Sequence, residues 1–63
     1  LTEAEKLLIR YLKLYPIGKG EAMVVLLLMN EEDQAMEMLE YLSKHEKLTS
    51  QQILDQARMI AAK

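Results

Sequence analysis

Eight apolar residues stand in a row from Ala22 to Met29, in the middle of a 63-residue chain. A segment without a polar break has no side made for water, so the rest of the chain, or a partner, must cover it. Periodicity does not separate a buried strand from a buried helix in such a run. Composition does: only Val24 and Val25 are β-branched, and the Leu, Met and Ala around them are good helix formers. No second segment offers itself as a partner strand. The run predicts a helix over 21–29.

The flanks carry the signals that start and stop helices. Thr2 followed by Glu5 has the spacing of a capping box, and Ala4, Leu7, Leu8, Tyr11, Leu12, Leu14 and Tyr15 then cover one broad face. Pro16 cannot continue a helix and disfavours helical geometry at Tyr15, so the first helix is expected over 3–14. Ile17-Gly18-Lys19-Gly20 is the strongest break in the chain. Asn30 is the expected cap of a third helix over 31–45, with Glu31, Glu32 and Asp33 at its positive end and an inward stripe of Ala35, Met38, Leu39 and Leu42. Thr49 and Gln52 repeat the capping box, and Leu48 with Ile53 forms a hydrophobic staple that opens a fourth helix over 50–62.

The fold class is therefore all-α, a compact bundle of four short helices in one domain over 1–63. The simplest arrangement places the second helix at the centre, covered by the other three. Val25, Leu26 and Leu28 should then be nearly inaccessible, and a charge at Leu26 should abolish folding. A start at Leu1 rather than Met is expected of a trimmed chain or a fragment of a longer one.

Composition narrows the function classes. With no cysteine there are no disulfides and no thiolate metal sites, which agrees with a reducing compartment. A cytoplasmic location is the expectation, since no signal peptide opens the chain and eight apolar residues fall far short of the roughly 20 that span a bilayer. The net charge is −2 and the eight basic residues form no block, which speaks against nucleic acid and against anionic lipid as partners. Met is frequent at five residues, and neither Phe nor Trp is present, so the core rests on aliphatic side chains and Met.

Motifs of chemistry are sparse. His45 is the only histidine and falls at the end of the third helix, with no nucleophile beside it in sequence. The acids from Glu31 to Glu40 lack both the EF-hand pattern and the Glu-x-x-His pairs of di-iron bundles, and read as a solvated face. Gly18-Lys19-Gly20 has the wrong spacing for a phosphate loop. No catalytic residue, metal, cofactor or small-molecule substrate is expected.

A few apolar residues fall off the inward faces. Ile9 lies on the polar side of the first helix, Tyr41 away from the Leu39 stripe of the third, and Met59 opposite the Ile53–Ile60 face of the fourth. If they converge they form a contact patch, with Met36 and Met38 as contributors. The expected function is a non-enzymatic interaction module that binds itself or a protein partner through apolar helix faces. The alternative is a small DNA-associated regulator whose third and fourth helices form a helix-turn-helix, presenting Gln51, Gln52, Gln56 and Arg58 to bases.

Overall fold

The computed structural model describes residues 2–63; Leu1 lies outside the described residues. Four helices follow one another: α1 (Glu3–Leu12), α2 (Lys19–Leu28), α3 (Glu32–Lys44) and α4 (Ser50–Ala61). The all-α bundle expected from the sequence is the observed fold.

Local chemistry sets the helix ends. Thr2 caps α1: its hydroxyl accepts from Glu5 N–H, while the Glu5 carboxylate accepts from Thr2 N–H. Thr49 and Gln52 do the same for α4 at 3.2 and 2.9 Å. Each box satisfies two of the backbone donors that a helix start leaves free.

α2, α3 and α4 each end one residue earlier than expected, at Leu28, Lys44 and Ala61, and three further departures have a local cause. α1 stops at Leu12 rather than 14, because the chain tightens there into i→i−3 bonds, Leu14 N–H to Tyr11 O and Tyr15 N–H to Leu12 O, before Pro16. Leu14 is left exposed instead of lying on the inward face. α2 starts two residues early, at Lys19, because Glu21 reaches back to accept from Gly18 N–H at 3.1 Å. α3 is capped at Glu31, not Asn30, because the Gln34 side-chain oxygen accepts from Glu31 N–H at 3.1 Å.

The helices form a four-membered ring. α1 packs against α3 and α2, and α4 packs against α2 and α3; the diagonal pairs make little or no contact. The principal extents, 24 × 23 × 22 Å, are nearly equal, as such a square gives. The core is built from Ala4, Leu8 and Leu12 of α1, Val25 and Met29, Ala35, Met38 and Leu42 of α3, and Ile53, Ala57 and Ile60 of α4, with Leu48 closing it. Among the described residues no buried residue is polar or charged. The staple pair, Leu48 and Ile53, is buried in this core.

The central position expected for the second helix does not exist. Helices pack at roughly 10 Å between axes, so enclosing one rod by equal rods takes about six neighbours. This chain has three other helices, and each of the four occupies a corner. Within α2 only Val25 is fully buried. Leu26 and Leu28 are half-buried, and Met23, Val24 and Leu27 face outward.

Tyr15 fastens the turn after α1 to the far end of α3. Its hydroxyl lies 2.7 Å from both the Leu42 and the His45 carbonyl oxygens. One proton serves two acceptors: the His45 carbonyl beyond the helix end, and the Leu42 carbonyl, which also accepts from His45 N–H at 3.2 Å. Burial, followed by the neighbouring Tyr11, Glu46 and Tyr41, pushes the phenol pKa up. Among the described residues no helix is long and apolar enough to cross a membrane.

Candidate functional site

The largest departure from a water-facing surface lies on α2. Met23 is 59% exposed, Val24 43% and Leu27 71%. Spaced i, i+1 and i+4 on one helix, they form a single outward ridge. Gly20, one turn earlier on the same side, is exposed and adds no side chain.

The ridge continues into a cleft between α1 and α2. This cleft has a volume of about 280 Å³ and is lined mainly by Ile9, Leu12, Ile17, Ala22, Met23 and Leu26, with Lys13 and Lys19 among its polar lining. Met23 belongs to both features. Lys19, Met23 and Leu27 follow at i, i+4 and i+8, so one edge of the ridge begins with a cation and goes on with two apolar side chains. Among the described residues neither Lys13 nor Lys19 has an ion-pair partner.

A second, broader cleft runs between α1 and α3. Leu7, Tyr11, Met36 and Leu39 form its apolar lining, and Asp33, Glu37 and Glu40 its acidic one. Met36 is 54% exposed there. Glu37 and Glu40 hold Lys63 and Lys44 in exposed ion pairs, whereas Asp33 has none among the described residues. Donation from Lys44, and then its charge, hold the Glu40 carboxyl below its usual pKa. The two clefts share no lining residue, so α1 has a basic-edged apolar cleft on one flank and an acidic-edged one on the other.

The residues singled out from sequence do not form one patch. Ile9 is half-buried and lines the α1–α2 cleft. Tyr41 lines a shallow depression between α3 and α4, on the opposite edge of the ring, together with His45 and Gln56. Met59 is exposed on α4 but lines neither cleft. Met36 lies in the acidic cleft. Met38 is fully buried and offers nothing to a partner; its place in the Ala35–Leu42 stripe is that of a core residue. Ile9 and Tyr41 thus lie at opposite edges of the ring with the core between them, and Met59 lines neither of the depressions that hold them, so the three share no depression.

His45 is exposed at the end of α3. Its ring lies against Tyr41 with centroids 4.4 Å apart, and its Nδ1 is 2.8 Å from the Tyr41 carbonyl. A carbonyl only accepts, so Nδ1 carries the proton. Tyr41 is thereby tied into a local clasp rather than held out toward a partner. Among the described residues no three His, Cys, Asp or Glu side chains are gathered as a metal site would need.

Of the base-reading set, Gln51, Gln52 and Arg58 are exposed and Gln56 is half-buried. Two of the four are engaged by one acid: Gln51 donates to Asp55 at 2.8 Å, and Arg58 pairs with it at 3.5 Å. A carboxylate amid the reading side chains opposes approach to phosphates.

Two signals for the ridge and clefts were present in the sequence. The α2 run holds more apolar side chains than one helix face can bury. Charge is also segregated: from Lys6 to Gly20 there are four cations and no acid, and from Asn30 to Leu42 five acids and no cation. The chain matches no protein-family model, no curated protein and no solved structure.

Proposed function

We propose that this chain is a protein-interaction module that binds a helical partner through the α2 ridge and the adjoining α1–α2 cleft. The observation that carries the reading is the exposure of Met23, Val24 and Leu27 in one continuous stripe that runs into an apolar cleft. Scattered exposed aliphatic residues are ordinary, but a contiguous stripe draining into a cleft is what an interface offers.

Magnitudes say how much of the surface takes part. Fully burying a Val, Leu or Met side chain is worth about 1.5–3 kcal/mol, and these three are already partly covered. The ridge alone therefore supplies roughly 3–5 kcal/mol, against about 4–15 kcal/mol of lost rigid-body freedom on association. A useful complex needs the cleft residues Ile9, Ile17 and Leu26 as well. Lys13 and Lys19 favour a partner with acids flanking its apolar face.

The test is site-specific photo-crosslinking in cells. A photoreactive residue at position 27 should give a discrete product, identified by mass spectrometry and abolished by Met23→Glu. The same residue at position 55 should give none. A position 27 that captures nothing above position 55 would end this reading.

A further inference from the structure

We infer that the occupant is a second copy of this chain, docked head to tail, with the α2 ridge of one copy and the adjoining rim of its α1–α2 cleft seated against the α1–α3 cleft of the next. This rests on the reading of the α2 ridge as a docking surface and supplies its partner.

Charge complementarity is the first argument. Lys19 opens the ridge and has no ion-pair partner among the described residues, and the receiving cleft is edged by Asp33, likewise unpaired, and by Glu37 and Glu40. The pairs that Glu37 and Glu40 make with Lys63 and Lys44 are solvent-exposed, so shifting them costs little.

Shape gives the second. The ridge is convex and the α1–α3 seam concave. Lys19 to Leu27 spans about 12 Å along α2, and Asp33 to Ser43 spans about 15 Å along α3, so the seam is long enough to take the ridge. The apolar side chains Met23, Val24 and Leu27 then lie over Leu7, Met36 and Leu39.

The exposed area also accommodates such a contact. The described residues expose 4405 Å², and a stable contact of standard size covers about 800 Å² per partner, under a fifth of that surface. One such contact leaves ample surface, and the two faces are disjoint.

Such a contact is heterologous. Each copy in a pair keeps one free ridge and one free cleft, so association does not stop at two unless a ring closes. A two-fold contact between identical faces would stop at two.

Mixing two variants separates these cases. Leu27→Glu places an acid on the ridge and leaves the cleft intact; Met36→Glu places one in the cleft and leaves the ridge intact. Both positions are solvent-exposed, and retained helical circular dichroism checks the fold. If either variant unfolds, Met23→Glu replaces the first and Leu7→Glu the second.

By analytical ultracentrifugation, the unaltered chain should form a concentration-dependent series beyond the dimer. That series should weaken at least about tenfold in apparent affinity as salt rises from about 0.05 to about 0.5 M. Each variant alone should be monomeric. Their equimolar mixture should form a discrete two-chain species, because one intact ridge meets one intact cleft while the two altered faces repel. An unaltered chain that stays monomeric, a variant that still forms the series alone, or a mixture that stays monomeric would each overturn head-to-tail docking. A crosslink from position 27 to a different protein, found with a monomeric chain, would keep the interaction module and discard the second copy as its partner.

Discussion

α2 and α4 stand side by side in the ring, with 10 and 12 residues, and treat their hydropathy in opposite ways. α4 has a modest apolar content, yet Ile53, Ala57 and Ile60 are fully buried, and its remaining faces carry Gln, Asp and Arg, with Met59 the one large apolar side chain exposed there. α2 is apolar on almost every side, yet it fully buries only Val25. Both occupy a corner, and a corner helix offers one side to the core whatever its composition. The surplus on α2 appears as the ridge. Hydropathy thus decides how much of a helix resists water, while neighbour number decides how much is sheltered.

The same charge placed on two sides of α2 should give the largest contrast. Val25→Glu should abolish the helical circular dichroism signal. A domain of this size has about 3–9 kcal/mol of stability, and an unpaired buried carboxylate costs a comparable amount. Leu27→Glu should remain folded, with stability within about 0.5 kcal/mol of the unaltered chain. Equal loss at both positions would mean that α2 is enclosed after all.

Truncation should give the next largest contrast. Ile53→Ala on α4 should cost about 2–5 kcal/mol in urea unfolding, because it opens a cavity at a fully buried site. Met23→Ala on α2 should cost under about 0.5 kcal/mol.

The caps separate the two helices at a smaller scale. Thr49→Ala should destabilise by about 1 kcal/mol through loss of the α4 cap, or some 4–8 °C in Tm. Gly18 has no side chain to cap α2, and its φ of −76° suits any residue. Gly18→Ser should stabilise by a few tenths of a kcal/mol, read from the urea midpoint.

Tyr15 tests the seam opposite α2. Tyr15→Phe should cost about 0.5–1.5 kcal/mol, since it removes one donor from two carbonyls at the end of α3. The pH dependence has a definite sign. The folded-state pKa of the phenol is raised, so its stabilising contribution is complete below the unfolded value near 10 and is lost as pH rises through the folded value. A urea midpoint followed through this alkaline range should fall less in Tyr15→Phe than in the unaltered chain.

A last substitution returns to α2. Gly20 is exposed in its first turn with nothing within 4 Å of an added Cβ. Gly20→Ala should raise stability by about 0.5–1 kcal/mol in thermal unfolding, mainly by restricting the unfolded chain.

Much of the fold was legible because its signals are local. A capping box acts across three residues, so Thr2 with Glu5 and Thr49 with Gln52 mark their helices without reference to the rest of the molecule. Where two capping arrangements compete, as at Asn30 and Glu31, the side chain able to reach back decides, and Gln34 does so onto Glu31 N–H. The inward stripes of α3 and α4 were readable because a polar face names the opposite side as the core. Met36 and Met38 show the limit of residue type alone: two positions apart on a helix, they point in different directions, one into a cleft and one into the core.

The presence of four helices, roughly where they begin and end, and which faces of α1, α3 and α4 turn inward all follow from the order of residues alone, because those choices rest on contacts within a turn or two of the chain. Which side of α2 is buried depends instead on how the helices pack. Its sides are nearly equal in hydropathy, so no local preference selects one, and the choice falls to the corner that α2 occupies between α1 and α4. The same placement turned a run of eight apolar residues from a buried rod into an exposed ridge beside an apolar cleft.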